Sequence, residues 1–203
     1  MNPNLKTMVL GALVFLALVR PASSISIDLV PAAVSSAVGD TFSVNVVVSG
    51  LVPQGSPRSE VGAFDLDLTF NSAAVSLVSV AFGVLLGNPG SGEALTSVVP
   101  GSGLVNFAEV SLLPSATLDA LQPDTFTLAT LSFQATAPGT SVLSLSRAVV
   151  GDGSGLALPV ASLGAADVTA SAPAIPEPRG FLLFVIGLAT VGAFGARRRG
   201  VPS

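Results

Sequence analysis

Two carboxylates at alternate positions, Asp65 and Asp67, are the residues of this sequence best placed for acid–base chemistry. Glycoside hydrolysis uses two carboxyl groups several ångströms apart, and residues two apart on a strand share one face with about 7 Å between their Cα atoms. The chain contains no histidine and no cysteine, so it lacks the side chains that most other catalytic mechanisms need. Their absence removes the Ser-His-Asp triad, thiol nucleophiles and most transition-metal sites.

The surroundings of Asp65 and Asp67 favour a surface role over catalysis. The two aspartates alternate with Phe64, Leu66 and Leu68, so they point to solvent while the apolar side chains point to a core. A catalytic acid needs apolar surroundings that raise its pKa, and the outer positions of this run provide none. We therefore expect a protein that is not an enzyme, with Asp65 and Asp67 as candidate partner contacts. A secreted, carboxylate-dependent glycoside hydrolase is kept as an alternative.

A glycine-rich segment around Asp152 is the one candidate cation site of the sequence. Residues 151–155 offer one carboxylate and flexible carbonyls, but they lack the alternating acids of a high-affinity calcium loop. Short acidic side chains in such segments commonly bond nearby backbone amides. We therefore expect a turn here, and no catalytic residue, metal ligand or cofactor in the chain, with calcium as a weak alternative.

The segments that must position these residues have the pattern of strands. Apolar and polar side chains alternate with a period of two at the start of 41–48 and throughout 64–70. Similar runs, separated by clusters of glycine, proline, asparagine and serine, occupy 75–82, 104–110, 126–135 and 141–146, with 25–30 and 166–169 as candidate first and last strands. This pattern predicts an all-β sandwich of antiparallel strands, with one possible helical turn at Ser115–Leu121, capped by Ser115.

The aromatic residues argue against sugar binding by stacking. The chain has no tryptophan and no tyrosine, the rings that combine an apolar face with a polar edge. Its phenylalanines fall mostly at inward positions, and we assign Phe82 and Phe107 to the core as well. Recognition of a protein, or of a carbohydrate by hydrogen bonds, is the expected mode.

Residues 38–48, 61–70 and 75–80, followed by 126–135 and 138–140, resemble strands of a cohesin-type domain. The resemblance implies a jelly-roll sandwich of nine strands, related to carbohydrate-binding modules, that binds dockerin modules through one sheet face. It implies a non-catalytic binding or scaffolding module. It carries over no contact residue, so it does not identify a dockerin as the partner.

The beginning of the chain is typical of a secretory signal peptide. Lys6 precedes an apolar stretch at 8–19, which is too short to favour a membrane span, and the small residues at 22–24 suit a signal peptidase cut before Ile25. Arg20 lies close to that site and leaves the cut uncertain by a few residues. We therefore assign residues 1–24 to a signal peptide read by the Sec export machinery and signal peptidase.

The end of the chain combines a stiff tripeptide, an apolar run and a basic cluster. The uncharged run spans 180–196, and at about 1.5 Å per residue it would form roughly 26 Å of helix, close to the lower limit for a membrane span. Positive flanks stay on the cytoplasmic side, so the residues before the run should lie outside the cytoplasm. The flanking residues are Pro176, Glu177 and Pro178 before the run, and Arg197, Arg198 and Arg199 after it.

This tail, residues 173–203, resembles the PEP-CTERM sorting signal of exported proteins in Gram-negative bacteria that make extracellular polysaccharide. The resemblance implies that an exosortase, a membrane-embedded cysteine protease or transpeptidase, processes the chain. The protein would then lie transiently in the inner membrane and afterwards at the cell surface or in the extracellular matrix. A permanently membrane-anchored protein that faces the periplasm is the alternative.

The remaining segment, 25–172, is long enough to form one domain with its own core, and it is strongly acidic. Residues 25–175 hold two basic residues, Arg58 and Arg147, against eleven acidic ones, a net charge of −9. Such a surface repels nucleic acid. The partners we expect are an extracellular protein or polysaccharide.

Overall fold

The computed structural model describes residues 24–51 and 60–173, and nearly all of them belong to short strands or the turns between strands. Within the described residues, one α-helix, α1, spans Ser115–Leu121, and a short 3₁₀ helix spans Pro89–Ser91. The strands are β1 (Ile25–Val30), β2 (Ala33–Ala37), β3 (Thr41–Ser49), β4 (Ala63–Thr69), β5 (Val75–Phe82), β6 (Ala94–Gly101), β7 (Leu104–Ser111), β8 (Phe126–Ala135), β9 (Gly139–Gly151), β10 (Val160–Leu163) and β11 (Ala165–Ser171).

These strands form two sheets. The five-stranded sheet has the order β10-β1-β3-β8-β5, and the six-stranded sheet has the order β2-β11-β9-β4-β7-β6. Apolar side chains from both sheets form a single core, which confirms the predicted all-β sandwich.

Alternation along the strands decides which side chains enter this core. In β4, Phe64, Leu66 and Leu68 are buried while the side chains between them face out, as the period of two predicts. The predicted core assignment of Phe107 is confirmed, and Phe82 is partly buried against the core. Phe133 is fully buried between the sheets, where its ring contacts the rings of Phe42 and Phe70 at centroid distances of 5.8 and 5.4 Å.

The prediction of a purely antiparallel sandwich is wrong at the two chain-terminal pairings. β1 pairs in parallel with β10, and β2 pairs in parallel with β11, whereas the other strand pairs are antiparallel. The first two strands, β1 and β2, therefore lie beside the last two, β10 and β11, and run in the same direction as them. The resemblance implied nine strands, but the described residues form eleven. The segments 25–37 and 160–171 each divide into two strands that join different sheets.

The predicted helix at Ser115–Leu121 is confirmed, but its predicted cap is wrong. Pro114 occupies the N-cap position and the helix has no side-chain cap. The Ser115 hydroxyl instead donates a hydrogen bond to Oε1 of Glu60, and Leu118 is buried. Ser115 is a residue type that often caps helices, but here its hydroxyl is bonded to the buried carboxylate of Glu60, which is distant in sequence.

The predicted signal peptide and sorting tail fall almost wholly outside the described residues. The structure does not describe residues 1–23 and 174–203, which include Pro176, Glu177, Pro178, the apolar run 180–196 and the three arginines 197–199. Within the described segments, no helix has the length and apolar character needed to cross a membrane.

Candidate functional site

The outer face of the six-stranded sheet carries four polar side chains at its centre, which we call the polar cluster: Asp65, Asp67, Asn106 and Arg147. Strand β4 runs through the middle of this sheet, and its outward positions hold the two aspartates. Antiparallel pairing places Asn106 of β7 on one side of Asp67 and Arg147 of β9 on the other. Three separate segments of the sequence therefore meet at one point.

Hydrogen bonds and ion pairs connect the polar cluster. Nδ2 of Asn106 donates to Oδ1 of Asp65 at 2.5 Å and to Oδ1 of Asp67 at 2.7 Å. Nη1 of Arg147 lies 3.2 Å from Oδ2 of Asp65 and 3.9 Å from Oδ2 of Asp67. Two carboxylates and one guanidinium leave the cluster with a net charge of −1, so it can still accept hydrogen bonds from a cationic or hydroxyl-bearing group.

Exposed apolar side chains surround the polar cluster on the same face, and we call them the apolar rim. Each exposes between 41% and 62% of its surface to solvent. The rim contributes apolar area, which protein interfaces bury in their centre, beside polar groups that fix the orientation of a partner. Its members are Leu95, Val99, Leu104, Val110, Val142 and Val149.

A shallow depression of about 450 Å³ opens beside Asp65 between the cluster and the rim. Its walls come from Ala108 and Val110 of β7, from Val149 of β9, and from the loop that begins at Asp152. The depression is mostly apolar and open to solvent, and its size suits a large aliphatic or aromatic side chain of a partner.

The geometry gives no support to the alternative of glycoside hydrolysis. Asp65 and Asp67 face out as predicted, but both share the single amide donor of Asn106 and both lie near the guanidinium of Arg147. They stand side by side on an open sheet face, whereas hydrolysis requires carboxyl groups that flank a sugar bond. Their role as partner contacts stays a prediction.

The loop around Asp152 has the turn structure that its sequence predicts. Oδ1 of Asp152 accepts hydrogen bonds from the Ser154 hydroxyl and from the amides of Ser154 and Leu156 at 2.7 to 2.9 Å. Burial alone would raise the pKa of Asp152, but these hydrogen bonds, with one from the Gly155 amide, lower it below its ordinary value. Among the described residues, no three acidic side chains converge as metal ligands.

Sequence reasoning missed a third carboxylate, Glu109, which points between the sheets from β7. It is fully buried, and neither carboxyl oxygen has a hydrogen-bond partner within the described structure. Burial raises the pKa of Glu109 to about 7. The signal was present in the alternation of the run 104–110, because Glu109 shares its parity with the inward residues Val105 and Phe107.

Comparison with known proteins connects this architecture to one family. The family model of the cohesin domain matches residues 27–164. No curated protein sequence matches the chain.

Several solved cohesins share the fold at low sequence identity. A non-cellulosomal cohesin from the archaeon Archaeoglobus fulgidus is 15% identical, with a TM-score of 0.56 over 73% of this chain and 92% of that chain. The cohesin in a type I cohesin–dockerin complex from Clostridium thermocellum is 16% identical, with a TM-score of 0.57 over 73% of this chain and 99% of that one. A cohesin from Clostridium acetobutylicum is 16% identical, with a TM-score of 0.58 over 74% and 92%.

Proposed function

This chain belongs to the cohesin domain family, whose members are non-catalytic protein–protein interaction modules, and we propose that it binds a protein partner through the outer face of its six-stranded sheet. One observation carries the proposal, which is the polar cluster enclosed by the apolar rim. Polar groups at the centre of an apolar patch fix the orientation of a partner, while the surrounding apolar area supplies affinity.

The partner that we propose is a dockerin-type protein, the class of partner that cohesins bind. A helical partner would place one large apolar side chain in the depression beside Asp65. A lysine, arginine or hydroxyl group next to it would donate to the carboxylates of Asp65 and Asp67. The net negative charge of the cluster favours such donors over acidic ones.

Carbohydrate recognition is the second candidate, and the outer face of the five-stranded sheet is the observation that favours it. This face carries hydroxyl and amide side chains, including Ser43, Ser132 and Thr130. Several of them already bond each other, as Ser43 does with Ser132 and Thr130 does with Asn45, at 3.0 and 2.8 Å. The face therefore offers a sugar fewer free groups than its composition suggests, and protein binding is the better supported function.

A photo-crosslinking amino acid at Val149 tests the binding face. Val149 lies on the apolar rim, and Val78 of β5, on the other sheet, is a control of similar exposure. We expect the probe at Val149 to capture a defined protein in the native cells and the probe at Val78 to capture none. Val149→Lys should then weaken binding of the purified partner at least about 10-fold, while Val78→Lys leaves it unchanged. Equal capture at Val78 would contradict the proposed face.

We also propose that the chain is exported and sorted by an exosortase, and that it acts at the cell surface or in the extracellular matrix of a Gram-negative bacterium. The order of its terminal segments supports this: a signal peptide at 1–24, then the Pro176-Glu177-Pro178 tripeptide, the apolar run 180–196 and the arginine cluster. Permanent anchoring in the inner membrane is the alternative, and it keeps the same binding face outside the cytoplasm.

Mass analysis of the mature protein from fractionated native cells tests the sorting proposal. We expect a chain that ends near Pro178 and is found outside the inner membrane. Recovery of the peptide 181–194 attached to the mature chain would reject exosortase processing and support a permanent anchor. This outcome would leave the proposed binding face untouched.

A further inference from the structure

Strand β6 forms an exposed edge of the six-stranded sheet. It pairs with β7 along its whole length, from Ala94 opposite Ser111 to Gly101 opposite Leu104, and its other side has no strand neighbour in the described structure. Seven of its eight residues are exposed. Leu95, Val98 and Val99 expose 62%, 39% and 60% of their surfaces.

The other three sheet edges carry features that discourage further pairing. β5 has an irregular register between Leu77 and Ser79, β10 has only 4 residues and a shifted register, and β2 has 5 residues. Bulges, short strands and charged residues are the usual protections of an edge strand. β6 has none of them along Leu95–Val99, and its proline, Pro100, stands near the end of the strand.

We propose that two copies of this chain associate by antiparallel pairing of β6 with β6 across a two-fold axis. Side chains that face each other in such a pair must lie on the same face of the sheet. A register centred on Ser97 satisfies this rule, because it places Leu95 opposite Val99 of the second copy on the outer face. It also places Thr96 opposite Val98 on the inner face, so each exposed apolar side chain of β6 gains a partner.

Charge favours a second copy at this edge. The described residues hold eleven acidic side chains and one arginine, so two copies repel each other over most of their surfaces. No charged residue occurs from Ala94 to Ala108, and Glu109, which follows, is buried. The β6–β7 hairpin is therefore a neutral edge where two acidic domains can meet without like charges in contact.

The proposed pairing would join the two six-stranded sheets into one continuous sheet of twelve strands. Five strand spacings of about 4.8 Å would then separate the two β4 strands, so the two polar clusters would lie about 24 Å apart on the same face. A partner with two binding modules could engage both sites at once. The pairing itself does not depend on the proposed function.

A single introduced cysteine tests both the pairing and its register, because the chain has no cysteine of its own. Opposed residues in antiparallel strands have Cα atoms about 4.5 or 5.5 Å apart, within the range that a disulfide can bridge. The control is Val78→Cys, which places the cysteine on the edge strand β5 instead. In the full-length chain under mild oxidation, we expect Ser97→Cys to yield at least about 10-fold more disulfide-linked dimer than this control. Thr96→Cys, adjacent but opposite Val98, should give no more than that control.

A second substitution separates specific pairing from random collision. Val99→Lys in the Ser97→Cys background places a charge opposite Leu95 of the second copy and should reduce the linked dimer to the control level. The proposal is overturned if Ser97→Cys links no more than Val78→Cys, or if Val99→Lys leaves the yield unchanged. The proposal would also be overturned if the wild-type chain stays monomeric by sedimentation at tens of micromolar. The same holds if β6 pairs with a strand of a different protein instead of a second copy.

Discussion

Substitution of Glu109 by glutamine should remove a large pH dependence from the stability of the sandwich. The Glu109 side chain lies between the sheets on β7, with Phe64 opposite on β4 and Thr96 opposite on β6. Arg147, the one basic residue of the described segments, lies on the outer face of the sheet, where it pairs with Asp65 and Asp67. Glutamine preserves the size of the side chain but cannot ionise.

The sign and size of the effect follow from the pKa of Glu109 in the two states. Burial raises this pKa to about 7 in the folded protein, against an ordinary value of 4.5. The unfolded chain therefore releases the proton at lower pH than the folded chain. The contribution of Glu109 to stability is therefore most favourable below about pH 4.5, falls as the pH rises towards 7, and then levels off. At ~1.4 kcal/mol per pKa unit, this difference destabilises the folded state by about 3 kcal/mol.

Urea unfolding between pH 4.5 and 8, followed by circular dichroism, measures this effect. Fluorescence is unsuitable because the chain has no tryptophan or tyrosine. Near pH 4.5 we expect Glu109→Gln to match the wild type within about 1 kcal/mol, and at pH 8 to exceed it by about 3 kcal/mol. Asp28→Asn, at an exposed site, is the control and should stay within about 0.5 kcal/mol of the wild type. Parallel pH profiles for Glu109→Gln and the wild type would refute the reasoning.

Three further substitutions test the packing and the polar cluster. Asn106→Ala removes the donor shared by the two aspartates and should lower the free energy of unfolding in urea by about 1–3 kcal/mol. Part of this stability should return when one of the two aspartates is also changed to asparagine. An unchanged urea midpoint for Asn106→Ala would show that the shared amide contributes nothing to stability. Gly62→Ala would place a Cβ 2.5 Å from the Asp152 carbonyl oxygen and should lower stability by about 1–3 kcal/mol, unlike Gly101→Ala, whose nearest contact would be 3.4 Å. Phe133→Ala should cost about 3–5 kcal/mol because its ring fills the space between the sheets, and a loss below 1 kcal/mol would argue against that packing.

The fold was predictable where a strand buries one face and exposes the other. β3, β4 and β8 show this alternation, and their core residues could be assigned from the sequence. β6 was missed because an edge strand that is exposed on both faces has no reason to alternate. β2 was missed because its small residues carry little contrast between apolar and polar positions. The parallel pairings depend on contacts between the two ends of the domain, which a local pattern cannot encode.

The candidate site was only half predictable for a related reason. Asp65 and Asp67 belong to one strand, so their shared outward direction follows from alternation alone. Asn106 and Arg147 join them through the register of β7 and β9, and that register depends on the turns between the strands. Asn106 lies 39 residues from Asp67, and the sequence gives no sign that the two meet.

The parallel pairing of the first two strands with the last two also determines how late in synthesis the domain can be completed. In the described structure, β2 pairs only with β11, and the Ser26 and Ser162 hydroxyls that bond each other are 136 residues apart. During synthesis, β2 remains unpaired until nearly the whole domain has been made. Contacts between residues this far apart in sequence form late and slowly. A nascent chain that stops before Val160 cannot close either terminal pairing, so it remains open to transport, to chaperones and to proteases.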